Sequence, residues 1–142
     1  MNARLAAGAW AAVEREATAN YPHEACGVLL GRAGEPLDVL EAHPCPNLNR
    51  ERSRDRYLID PREQLRIERD GRERGLDVVG YFHSHPDHPA EPSATDLELS
   101  WESLLYLIVS VRDGRLQAGR GWRREPGSRS FAEIALESVP QL

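Results

Sequence analysis

The feature that most narrows the fold is the run at residues 104–111, Leu-Leu-Tyr-Leu-Ile-Val-Ser-Val. It is the chain's nearest approach to a membrane-length apolar segment, and it falls far short of the ~20 residues a bilayer demands. Eight residues with Tyr106 and Ser110 inside them make a strand. Asp113-Gly114 then supplies a tight-turn dipeptide, and residues 115–122 follow as the partner strand, so a hairpin is expected.

The rest of the 142 residues reads as short elements separated by clear stop signals. Residues 3–19 carry Leu5, Ala9, Ala12, Val13 and Glu16 at helical spacing, and Asn20-Tyr-Pro ends that helix. Residues 25–30 form a compact apolar run closed by Gly31. A turn at 32–36 and a return strand at 37–42 complete a first hairpin. Residues 57–59 suggest a short strand. Asp60 is placed to cap a helix that begins at Pro61, carries Leu65 and Ile67 and stops near Gly75. Residues 77–85 are the next strand. Residues 86–92 hold three prolines and are irregular; 93–101 reads as a helix and 131–137 as a last strand. No repeat or second core is visible, so residues 1–142 are expected to form one α/β domain with a mixed sheet and a few helices.

Composition removes several functions. The formal net charge of −5 argues against nucleic acid as the main partner, because phosphate binding needs a basic surface. The absence of a basic-then-apolar leader points to the cytoplasm as the default location. Cys26 and Cys45 lack the paired spacing of a structural zinc site. Two reduced, partly buried thiols are the default reading, and a disulfide stays open because the two flank one hairpin. Residues 44–56, with two prolines, two asparagines and Arg50, Arg52, Arg54 and Arg56, read as a long exposed loop. That loop is either a plain connection or a flap beside a site.

The chemistry sits in Phe82-His83-Ser84-His85-Pro86 and Pro92-Ser93-Ala94-Thr95-Asp96. Alternate strand residues share a face, so His83 and His85 reach one ion while Ser84 points away. Alone, such a pair reads first as two surface or half-buried histidines, and Ser93 with Asp96 reads as a helix capping box. Together they say more. The short proline linker folds the helix start back beside the strand end, and two imidazoles plus one carboxylate are a three-ligand set for zinc with a position left for water. Water attack also needs a base. Glu24, at the entrance of the first apolar strand, is the candidate, its plain alternative being an exposed strand-end carboxylate. The Ser93 hydroxyl is placed to support an oxyanion. His88, Glu91 and Asp87 read as exposed, His23 and His43 lack a direct role, and Trp101 is expected in the core or at the cleft rim.

These residues resemble a known family. His83-Ser-His85, seven residues, Ser93, two residues, Asp96, with Glu24 upstream, is the pattern of the JAMM (MPN-plus, or JAB) metallopeptidases. Pro22-x-Glu24-x-Cys26-Gly27-x-Leu29-x-Gly31, Tyr57-Leu-Ile-Asp-Pro61 and Val79-Gly-Tyr-Phe-His-Ser-His-Pro86 extend the resemblance across most of the chain, roughly residues 5–122. It implies a curved mixed sheet flanked by helices, an architecture like that of cytidine deaminases. It implies one Zn²⁺ on His83, His85 and Asp96, Glu24 as general acid/base and Ser93 as oxyanion support. It also implies cleavage after the C-terminal glycine of a ubiquitin-like or sulfur-carrier protein, including release of cysteine from it. The glycine-rich tail is expected to add to a strand edge beside the cleft, with the 44–56 loop over it. Two alternatives stand beside this reading: an inactive scaffold of the same fold that binds a partner, and a hydrolase of small peptides or acyl-amino acids. Oligomeric state, a homodimer included, is left open, and no membrane partner is expected.

Overall fold

The computed structural model describes residues 2–142. The elements in chain order are β1 (Asn2–Ala6), α1 (Ala7–Asn20), β2 (Cys26–Arg32), β3 (Leu37–Cys45), α2 (Pro61–Glu73), β4 (Asp77–Pro86), α3 (Ala94–Glu98), β5 (Leu105–Arg112), β6 (Arg115–Arg123) and β7 (Ala132–Val139). The hairpins β2–β3 and β5–β6 and the helices α1 and α2 match the expectations closely. Among the described residues no helix is long and apolar enough to cross a membrane.

The first difference is β1. Helical spacing suggested one helix from residue 3, but residues 2–6 alternate partly exposed and buried, with Ala3 and Leu5 inward. Five residues with two apolar positions satisfy a strand or a helix face equally well, and only pairing decides. Here β1 runs parallel to both β3 and β7. Those two pairings join the ends of the sheet, which closes as a seven-strand barrel in the order β1-β3-β2-β4-β5-β6-β7. The expected curved sheet is therefore mixed, as expected, but closed. Closure is partial along the strands: among the described residues, 40–45 of β3 pair only with β2 and 115–120 of β6 pair only with β5, so unpaired strand edges remain.

Two apolar clusters lie on the two faces of the sheet. One joins α1, through Ala9, Val13 and Ala17, to Leu29, Val39, Phe82, Leu107 and Val109. The other joins Ile67 of α2 to Val28, Leu30, Tyr81 and Tyr106. Asp60 caps α2 by accepting from the Arg62 amide at 2.9 Å, and Pro61 opens it. Such a cap is worth about 1 kcal/mol.

A bulge decides which cluster the histidines face. Along β2, Leu29 pairs with Gly80 but Leu30 pairs with Val78, so Val79 is an extra residue in β4. Val79 and Phe82 then share the α1 face while Val78 and Tyr81 share the α2 face. From the bulge onward Tyr81, His83 and His85 alternate on the α2 side. Gly80 is required there: a Cβ would sit 2.0 Å from the Leu105 carbonyl oxygen of the neighbouring parallel strand.

Other expectations shift at their ends. The helix at 93–101 is only the five residues of α3. Trp101 is 68% exposed, not in the core; its backbone amide donates to the Tyr106 hydroxyl instead. Residues 57–59 contribute a single bridge, Asn47 to Ile59. Cys26 and Cys45 are cross-strand neighbours and are free, buried thiols; burial pushes the Cys26 thiol up to about 12 and Cys45 up to about 11.

Candidate metal centre

The C-terminal end of β4 delivers His83, fully buried, and His85, nearly so. The proline-rich segment then turns back and starts α3 beside them. Its capping box is formed in full: the Ser93 side chain accepts from the Asp96 amide at 3.0 Å, and the Ser93 amide donates to Asp96 Oδ2 at 2.8 Å. The cap and the convergence are one device. Holding Oδ2 on the Ser93 amide fixes the Asp96 rotamer, and Oδ2 lies 3.2 Å from Nε2 of His83 and 3.2 Å from Nε2 of His85. The two Nε2 atoms are 3.1 Å apart.

This triangle fits a metal ion. Ligand atoms about 2.0–2.1 Å from a tetrahedral ion lie roughly 3.3 Å from one another. The donor chemistry agrees. His85 Nδ1 faces the Pro89 carbonyl oxygen at 2.8 Å, so in the neutral ring Nδ1 carries the hydrogen and Nε2 offers a bare lone pair. Three electron-rich atoms aimed at one point are reconciled by a positive charge between them. Against the opposing effect of burial, hydrogen bonding to Asp96 raises the pKa of His85. Burial lowers that of His83 and keeps its ring neutral. Asp96 is partly buried, yet the hydrogen bonds from both histidines hold it well below the usual carboxylate range.

Among the described residues His83 Nδ1 is buried without a hydrogen-bond partner. The carboxylate or carbonyl that usually orients a metal-bound ring is thus missing here. Packing replaces it: the Tyr57 ring stacks on the His83 ring, centroids 4.5 Å apart and planes at 23°. Burial raises the Tyr57 hydroxyl well above its ordinary value, so it stays neutral.

Glu24 is buried, contrary to its plain reading as an exposed strand end. Its ligand oxygen, His83 and His85 lie within 4.8 Å of one another, a distance that one water molecule spans. Burial pushes its carboxyl up to about 8, against the pull of His85. Its backbone is held on both sides. The Glu24 amide donates to the Ser53 carbonyl at 2.6 Å, and the Glu24 carbonyl accepts from Asn47 Nδ2 at 3.2 Å. Ser84, which points away from the histidines as expected, accepts from the Ala25 amide at 2.8 Å and donates its own amide to the Ala25 carbonyl at 3.0 Å.

The 44–56 segment is consequently more than a solvated connection. Asn47 also donates to the Arg56 carbonyl and accepts from the amides of Asn49 and Leu58, knotting the loop onto Glu24. The remaining residues fall outside the cluster. His23 bonds Ser53 Oγ, His43 bonds Glu41, and Glu91 pairs with Arg120. Asp87 is exposed but accepts the Tyr21 hydroxyl. Sequence reading missed Tyr57, Asn47 and the anchoring role of Ser84. Each acts through a contact with a residue distant in the chain; the available signals were the Tyr57-Leu-Ile-Asp-Pro61 motif and the position of Asn47 and Tyr57 on either side of the arginines.

A closed α/β barrel that gathers two histidines, a carboxylate and a buried acid at one strand end presents the donor set of a candidate metal-ion site. The chain matches the prokaryotic homologs of the JAB domain over residues 6–125 and belongs to that family. It is 43% identical to a desampylase of Haloferax volcanii over 103 residues, 72% of each protein. It is 37% identical to the CysO-cysteine peptidase of Mycobacterium tuberculosis over 118 residues, 82% of this chain and 79% of that one. The solution structure of protein DSY2949 from Desulfitobacterium hafniense superposes with a TM-score of 0.83 at 32% identity, covering 99% of this chain and 94% of the other. The JAB1/MPN domain protein AF2198 from Archaeoglobus fulgidus, at a TM-score of 0.58 and 18% identity over 97% of each chain, shares the fold.

Proposed function

We propose that this protein is a zinc-dependent peptidase that cleaves the amide bond after the C-terminal glycine of a ubiquitin-like or sulfur-carrier protein in the cytoplasm. The observation that carries the reading is the triangle of His83 Nε2, His85 Nε2 and Asp96 Oδ2, with edges of 3.1–3.2 Å, beside a buried carboxyl. The relatives named desampylase and CysO-cysteine peptidase support the substrate class.

In this reading His83, His85 and Asp96 hold the ion. Bound there, zinc supplies Lewis acidity toward a water molecule and the scissile carbonyl. Glu24 takes the proton of the attacking water and passes it to the leaving amine. Its burial matches the task, since a base is most effective with a pKa near the working pH. Ser93 supports the oxyanion. Its Oγ accepts from the Asp96 amide, which leaves the hydroxyl hydrogen free to donate. The pinned 44–56 loop covers one side of the cleft.

The test is elemental analysis of the purified protein together with hydrolysis of a carrier bearing an amide-linked group after its terminal glycine. One equivalent of zinc, activity lost to a chelator and regained with zinc, is the expected result. A protein that binds no metal and cleaves no adduct is a scaffold, and the proposal then fails.

A further inference from the structure

The cleft at the metal centre, about 320 Å³, is lined by Glu24, His85 and Ser93 and by Arg54, Asp55 and Arg56 of the pinned loop. Its charges are mostly committed. Asp55 accepts from Arg52 at 2.5 and 3.2 Å and has Arg56 at 3.9 Å. Arg56 also donates to the Asp55 carbonyl. Glu91, at the far lip, pairs with Arg120 at 3.2 Å. Arg54 is different: among the described residues its guanidinium has neither an ion pair nor a hydrogen bond, and the residue is exposed and lines the cleft.

Arg54 is also held in place through its backbone. The carbonyl of the preceding Ser53 accepts from the Glu24 amide at 2.6 Å, and the Ser53 hydroxyl bonds His23 Nδ1 at 2.6 Å. The amides of Asp55 and Arg56 both return to the Arg52 carbonyl. A free guanidinium on a fixed turn, tied directly to the candidate base, is preorganised to receive an anion.

From this we infer that Arg54 binds the α-carboxylate of the leaving group, so that the preferred substrate is a glycine-terminated tail carrying one amino acid in α-linkage with its carboxylate free. The inference rests on the hydrolase reading for what leaves. In such a substrate the leaving nitrogen and the carboxylate are separated by a single carbon, so the anion must lie in the cleft beside Glu24. A lysine isopeptide within a protein presents no carboxylate there: its backbone is four methylenes further out and uncharged. Hydrolysis adds OH to the glycyl carbon and H to the leaving nitrogen, and releases a free amino acid. Arg54 takes no part in the proton transfers; it is a specificity-determining residue.

Two synthetic peptides test this with the zinc-loaded full chain: one ending Gly-Gly-Ala with a free carboxylate, the other with the same end as a carboxamide. The expected kcat/KM favours the acid by about tenfold, the scale of one charge-assisted hydrogen bond. Arg54→Gln should bring the acid down to the level of the amide, with a much smaller effect on the amide itself, and added salt should erode the preference. In parallel, N-acetylglycylalanine should shift the NMR signals of Arg54 where its carboxamide does not. Equal cleavage of both peptides by the natural protein, or an Arg54→Gln loss shared equally by acid and amide, overturns the assignment. Absence of the acid-specific shift overturns it too. Acid-specific binding without cleavage of either peptide would leave the carboxylate site standing, and the hydrolase reading then stands or falls separately on cleavage of the carrier adduct.

Discussion

The ring of Tyr57 lies against the ring of His83 at a centroid distance of 4.5 Å, and among the described residues nothing hydrogen-bonds His83 Nδ1. In the proposed site, His83 is a ligand oriented by packing, which depends on the flat surface and not on the hydroxyl. Tyr57→Phe should therefore keep metal affinity near that of the natural protein. Tyr57→Ala should weaken it by about tenfold or more, as loss of an orienting group typically does. Competition against a chromophoric chelator measures both; equal loss in the two variants would point to the hydroxyl instead.

In the proposed mechanism Glu24 serves the chemistry and Asp96 the metal, and two variants separate these roles. Glu24→Gln should retain stoichiometric zinc and lose hydrolysis by several orders of magnitude, because the water loses its base. Asp96→Ala should lose zinc and activity together. The paired readouts are metal content and turnover, and a Glu24→Gln variant that still turns over substrate would remove the base assignment.

Asn47 satisfies four backbone groups at once, on Glu24, Asn49, Arg56 and Leu58. Asn47→Ala leaves partly buried polar groups unpaired and should cost about 2 kcal/mol of stability, lowering Tm by several degrees. It should also lower kcat while zinc stays bound, since Glu24 loses one of its two backbone anchors. Thermal unfolding and metal analysis on the same sample report the two effects separately.

The pair Glu41–Arg74 gives a pH dependence away from the centre. Arg74 donates to both Glu41 oxygens, at 2.6 and 2.8 Å, and with His43 this lowers the Glu41 carboxyl to about 2. A carboxyl with a folded pKa below its unfolded value of about 4.3 stabilises the fold above that value. The contribution fades as pH falls through 4 and is gone near 2. Glu41→Gln should accordingly lower Tm at pH 7, and the gap between the two proteins should close on acidification to pH 2. Both side chains are about one third exposed or more, so the gap at pH 7 should shrink in high salt.

The chain carries its local elements openly. Asp60-Pro61 marks the start of α2, Asp113-Gly114 sets the β5–β6 turn, and the alternation through Phe82, His83, Ser84 and His85 puts the two histidines on one face. These depend on φ/ψ preferences and on side-chain period, which neighbouring residues fix. The spacing from His83 to Asp96 is legible for the same reason: a proline-interrupted linker and a Ser93 cap leave the returning helix few places to start.

The tertiary structure decided what local pattern leaves degenerate. Residues 2–6 are a strand only because β3 and β7 offer them backbone partners, and the barrel closes only there. The bulge at Val79 sets which cluster the histidines join, and one extra residue against β2 has no local signature. Tyr57 over His83 and Asn47 on Glu24 are contacts between residues more than twenty positions apart. A sequence determines such contacts through the whole fold, because the free energy that selects them is shared among every element that must pack at once.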